Sequence, residues 1–179
     1  MLANPRLWFG ILTVTFGQAL AAQAPPACVE DASYHLLDFW VGSWNVFVED
    51  SLVGTDRVEK ILDGCAIEET WHTPAGTEGI SLFYVDPRAG IWKQVWVTTG
   101  ARQPGGVKEK RMIARGAKRG TRFQGEITLP EGRIMLDRTT LTPLGDDEVR
   151  QLIETSTDGG ETWRTTFDAR YRRAPAGPR

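Results

Sequence analysis

Apolar and polar positions alternate along most of the chain after residue 41, with the two-residue period of strands that bury one face. Gly42 to Glu49 sets Trp44, Val46 and Val48 on one side. Asp56 to Leu62 and Cys65 to His72 follow, separated by Asp63-Gly64, and Ile80 to Val85 runs into Asp86-Pro87-Arg88-Ala89-Gly90. That last segment is a turn by composition: proline fixes φ, aspartate bonds the following backbone, and glycine tolerates the exit geometry. Further strands are predicted over Ile91 to Thr98, Lys108 to Arg115, Thr121 to Leu129, Arg133 to Leu141, Val149 to Ser156 and Thr162 to Arg172. Ahead of them, Tyr34 to Trp40 reads as a short helical turn capped by Asp31 or Ser33. No segment carries the pattern of a three-turn amphipathic helix.

About ten short, sequentially connected strands define an all-β, antiparallel domain. They can close into a barrel, which removes exposed edges, or divide into a two-sheet sandwich. Periodicity alone does not separate the two.

The beginning of the chain changes the picture. Arg6 precedes an apolar run from Leu7 to Phe16, and Ala19-Leu20-Ala21 gives a small-residue cleavage pattern. Residues 1–21 therefore read as a secretory signal peptide, too short in its apolar core to span a bilayer. The expected organisation is a leader over 1–21, an arm over 22–35, a barrel domain over 36–173 and a flexible tail over 174–179. The expected location is periplasmic or secreted. The formal charge of the 179 residues is −2, and loss of Arg6 makes it one unit more negative, which does not recruit nucleic acid. The two cysteines, Cys28 and Cys65, suit one disulfide in an exported chain, worth about 3–4 kcal/mol by loop-closure entropy. The alternative, two free thiols, has no convincing base beside either one in sequence.

The stretch Phe39-Trp40-Val41-Gly42-Ser43-Trp44 leads from the helical turn into the first strand. This Gly-x-Trp opening resembles that of the lipocalin and calycin superfamily. The segments GSW, GCAIEETW, GISLFYVDP, WKQVW, VRQLIETSTDGGETW and FDARYRR together resemble a bacterial family of small, frequently exported, calycin-like proteins of unknown function. The match runs over residues 36–173, departing at Leu141, where relatives often carry tryptophan. The resemblance implies a lipocalin-like barrel of about ten strands. It also implies that Trp44 plugs the closed end, that Gly42 allows close approach, and that a late basic side chain, Arg170 or Arg172, packs across the indole. It implies no chemistry.

Side-chain parity then nominates an interior. In Ile91 to Thr98 the presence of Lys93 on one face puts Trp92, Gln94, Trp96 and Thr98 on the inner one. Indoles with a few hydrogen-bonding groups make a pocket composition. In the third strand Ile67, Glu69 and Trp71 share a face, and in the eighth Ile134, Leu136, Arg138 and Thr140 do. An inward Arg138 needs a carboxylate, and Glu69 is the obvious one; Gln151 would extend the network. The candidate ligand-binding set is thus Glu69, Trp71, Trp92, Gln94, Trp96, Arg138 and Gln151. Glu69, His72 and Arg138 are the weaker candidates for acid–base catalysis.

Other motifs offer less. Ser156 to Trp163 matches the S-x-D-x-G-x-T-W box of propeller proteins, but one copy in a ten-strand chain is a hairpin device. Glu68 and Glu69 point to opposite faces and cannot flank one bond. Histidine is confined to His35 and His72, with no metal-ligand spacing, so neither metal nor cofactor, haem included, is expected. The basic cluster from Lys108 to Arg122 reads as a solvated hairpin, with peripheral membrane contact a weaker possibility. The leading function is binding of a small apolar or amphipathic molecule in a barrel cavity. The alternatives are a hydrolase or isomerase working in that cavity and a non-enzymatic interaction module.

Overall fold

A computed structural model describes residues 27–115 and 120–175. The leader over 1–21, the tip of the basic hairpin and the last tail residues lie outside the described residues. The chain forms a closed barrel of ten antiparallel strands in the order β1-β10-β9-β8-β7-β6-β5-β4-β3-β2. The strands are β1 Gly42–Val48, β2 Ser51–Ile61, β3 Ala66–His72, β4 Glu78–Asp86 and β5 Ile91–Thr98. They continue with β6 Val107–Ala114, β7 Thr121–Thr128, β8 Ile134–Pro143, β9 Glu148–Ser156 and β10 Arg164–Arg173. Every strand pairs with its neighbours in sequence, and β1 pairs with β10 to complete the ring. The sandwich alternative is thereby excluded.

The expected helical turn is two 3-10 turns, Ala32–His35 and Asp38–Trp40, with Asp31 accepting the Ser33 amide at 2.8 Å. A short α-turn, Ala27–Glu30, precedes them and is tied to the start of β3 by the Cys28–Cys65 disulfide. Strand β2 begins at Ser51, earlier than the Asp56 expected from periodicity. The early part holds Gly54, whose bare backbone lies under the Trp71 indole; a Cβ there would collide with the ring 2.6 Å away. Strand β10 starts at Arg164 because Thr162 and Trp163 belong to the preceding turn. There Asp158 accepts the Thr162 amide at 3.0 Å, and the Trp163 indole donates to the Gly160 carbonyl at 3.0 Å. The S-x-D-x-G-x-T-W segment is a hairpin device, as expected.

One end of the barrel is sealed. Trp44 is buried, stacks on Trp40 at 6.0 Å between ring centroids, and donates its indole N–H to the Trp40 carbonyl. The cation across it is Arg173, its guanidinium carbon 4.5 Å from the ring centroid. Arg170 and Arg172 do not close the barrel, a correction to the expectation above. Both point outward, Arg170 towards Glu148 and Arg172 over Phe47. The reason is parity: only a residue on the same face as Tyr171 reaches the plug, and Arg173, directly opposite Trp44 in the β1–β10 register, does so. Trp92 belongs to this sealed end too. It donates to the Ser33 carbonyl at 2.9 Å and meets Tyr34 edge-on, so the arm, not a cavity, covers it. Above the plug lies an apolar layer that includes Val58, Ile67, Phe83, Phe123, Leu141 and Val149.

Candidate functional site

Beyond that layer the interior turns polar. The β3–β4 and β4–β5 registers set Glu69 opposite Ser81 and Ser81 opposite Trp96. The β5–β6 register sets Gln94 opposite Lys110, and through Gly125 of β7 the same level reaches Asp137 of β8. Gly125 has no side chain to block Lys110, which stretches across it: a Cβ at residue 125 would sit 3.2 Å from Lys110 Cγ. The result is a belt of charged and polar groups, nearly all buried, between an apolar floor and an aromatic rim.

Two clusters make up the belt. In the first, Ser81 Oγ donates to Glu69 Oε2, and Gln94 Nε2 donates to Ser81 Oγ at 3.0 Å. Asp56, also buried, touches the Glu69 carboxyl, and no side chain among the described residues donates to either Asp56 oxygen. Two acceptor-only carboxylates cannot bond without a proton between them. Burial first, then the Glu69 charge and the hydrogen bond to Glu69, push the Asp56 carboxyl well above the usual range, so Asp56 is the one that keeps it. Burial raises Glu69 as well, opposed by its bonds to Ser81 and Asp56. In the second cluster, Lys110 bonds Thr139 Oγ1 at 2.6 Å and pairs with Asp137, which also holds Lys108 at 2.8 Å. Burial lowers the Lys110 amine to about 8 in spite of Asp137. With Asp56 protonated, Glu69 and Asp137 balance Lys108 and Lys110, and the belt carries no net charge.

On the side away from the plug, this belt bounds a cavity of about 300 Å³. Trp71, Trp96 and Phe167 form much of its wall, while Glu69, Gln94 and Lys110 line it from the belt. Trp96 lies on the bare backbone of Gly79 much as Trp71 lies on Gly54. Tyr171 donates to Gln151 Oε1 at 2.8 Å, and both residues line the cavity. One buried acceptor of a wall residue, Gln94 Oε1, meets no donor among the described residues.

Of the residues nominated from sequence, Glu69, Trp71, Gln94, Trp96 and Gln151 come together on the cavity wall. Three do not. Trp92 lies in the plug. Arg138 faces the outside of β8, where Nε bonds Glu154 at 2.7 Å and the guanidinium covers the Trp163 ring at 3.7 Å. The aliphatic Ile134 and Leu136 that suggested an inner face are on the outer one with it; Leu136 packs near Gly160 of the hairpin turn that Trp163 belongs to. His72 is exposed at a strand end beside Glu78, at 3.4 Å. Asp56, Lys110 and Asp137 were missed because each is a charge on a strand, and charges on strands ordinarily mark the outer face. Their signal was parity: Asp56 alternates with Gly54 and Val58, Lys110 with Met112, and Asp137 with Thr139 and Leu141.

Among the described residues no group of His, Cys, Asp and Glu is placed to hold a metal ion, and no helix is long and apolar enough to cross a membrane. No family model matches the chain, and no curated protein matches it.

Proposed function

We propose that the barrel binds a small, neutral, amphipathic molecule, with its apolar body between Trp71, Trp96 and Phe167 and its polar head on the belt. The observation that carries this reading is the cavity of about 300 Å³, walled by Trp71, Trp96 and Phe167 and bounded by the polar belt. That size is at the small end of ligand sites, which run from about 300 to 1,000 Å³. A ligand hydroxyl or amide N–H set against Glu69, Gln94 or Lys110 would exchange its bonds to water for bonds to the belt. Neutrality follows from the balanced belt. An added ion would be an uncompensated charge in a desolvated site, which is costly.

The leader pattern at residues 1–21 and the disulfide support an exported protein, periplasmic or secreted, and the opening Gly42-x-Trp44 supports kinship with exported calycin-like barrels. Titration calorimetry with indole-3-ethanol and with indole-3-acetate tests the binding reading. The alcohol should bind and the carboxylate should bind at least tenfold more weakly. Trp96→Ala should weaken the alcohol by about tenfold or more. Equal binding of both, or binding indifferent to Trp96, overturns the reading.

A further inference from the structure

Lys110 stands out among the interior groups. Its side chain is 3% exposed, yet it lines the cavity. The amine also has a particular neighbour. Gln94 is directly opposite it in the β5–β6 register, which brings their Cβ atoms to about 5 Å. The carbonyl of that same Gln94 is the acceptor without a donor.

We propose that Lys110 is a carbonyl-capture site, forming an imine with a small aromatic aldehyde seated between Trp71 and Trp96, with Gln94 accepting the hydroxyl of the intermediate. This rests on the binding reading above and assigns its chemistry. The uncharged amine attacks the aldehyde carbon; the N–C bond forms as the carbonyl π pair moves to oxygen. Transfer of a proton from nitrogen to that oxygen gives a carbinolamine. Its new O–H has in Gln94 Oε1 an acceptor to which none of the described residues donates. The nitrogen lone pair then expels the hydroxyl, which leaves as water with one added proton, and the resulting iminium loses its N–H proton to buffer. The balance is aldehyde plus amine giving imine plus water, with no change of oxidation state.

Two features of the surroundings suit this step. An amine reacts only when deprotonated, and burial lowers Lys110 to about 8, so about half of it is free base at pH 8, against under about one in a hundred for an ordinary lysine. The dehydration needs an acid, and Glu69, which lines the cavity and touches the Asp56 carboxyl, is the group placed to pass a proton to the departing hydroxyl. Asp137 and Thr139 hold the amine to one side of the barrel, fixing where the aldehyde must lie.

The test is reductive trapping on the full-length protein with 4-hydroxybenzaldehyde and cyanoborohydride at pH 8, read by intact mass and peptide mapping. Lys110 should be modified at least tenfold faster than the exposed-side lysines Lys60 and Lys93, and pre-saturation with indole-3-ethanol should slow it. Lys110→Arg, which retains the charge for Asp137, should remove that fast site while far-UV circular dichroism stays unchanged. Labelling of Lys110 no faster than Lys60 and Lys93 overturns the proposal. If indole-3-ethanol still binds in that case, only the capture chemistry fails. If it does not bind either, the cavity reading fails with it. The wild-type labelling pattern decides the matter even where a variant does not fold.

Discussion

The guanidinium of Arg173 lies 4.5 Å over the Trp44 ring, joining the last strand to the first across the sealed end. Its Nε also bonds Asp147 at 3.0 Å, and one terminal nitrogen bonds the Asp146 carbonyl at 2.9 Å. Gly42 leaves the room it needs, because a Cβ at that position would strike the guanidinium. Arg173→Ala should cost about 1 kcal/mol in urea unfolding, the scale of a partly exposed cation–π contact. Arg170→Ala and Arg172→Ala should each stay within about 0.5 kcal/mol of the parent, as exposed surface changes do. Equal effects at all three positions would remove Arg173 from its special place.

Asp56 makes stability depend on pH with a definite sign. Its folded value is well above its unfolded one, so the native state binds the extra proton. Stability is complete below the unfolded value and falls as pH rises towards the folded value, by at most about 1.4 kcal/mol per pH unit. Glu69, raised in the same direction, adds to the fall. Asp56→Asn replaces the protonated acid with a neutral donor of the same shape and should flatten the decline between pH 5 and 7. Unfolding free energies belong below pH 8, because Lys110, lowered to about 8, contributes a slope of opposite sign above it. An unchanged slope in Asp56→Asn would show that the proton resides elsewhere.

Outside the barrel, Arg138 couples β8, β9 and the hairpin turn through Glu154 and Trp163. Its bond holds the Glu154 carboxyl below the usual range, so this contribution is present at neutral pH and is lost as pH falls through the folded value. Arg138→Ala should cost about 1–2 kcal/mol at pH 7 and less in acid. Indole-3-ethanol binding should not change, because the residue faces away from the cavity. A loss of affinity would contradict the placement.

The disulfide closes a separation of 37 residues. Reduction, or Cys28→Ser with Cys65→Ser, should lower stability by about 3–4 kcal/mol in the chain-entropy account. Near-ultraviolet circular dichroism should register the change mainly at Trp92, whose indole bonds the arm that the disulfide anchors.

How much of this was legible beforehand differs from strand to strand. In β5 a single lysine, Lys93, sufficed to orient Trp92, Gln94 and Trp96, because it does lie outside, where it pairs with Asp86. The same reasoning fails in β6 and β8. There Lys108, Lys110 and Asp137 cancel one another in the interior, and nothing local tells a strand that its charge has a partner two strands away. Arg138 misled for the complementary reason: aliphatic neighbours on an outer face imitate a core face when a hairpin covers them. Depth along the axis is equally invisible to alternation, which is why Trp92 and Trp96, four residues apart and facing the same way, end in a plug and in a cavity wall.

The ring is completed only where β1 meets β10, so the earliest strand to emerge during synthesis must wait for the latest before its second partner exists. Until then both flanks of the growing sheet are open for foreign strands to pair with, and the burden of shielding them falls on whatever accompanies the nascent chain. Exchanging the order of manufacture, by joining the natural ends and opening the chain in a loop opposite the plug, would let these two strands meet early and should raise the yield of correctly folded material.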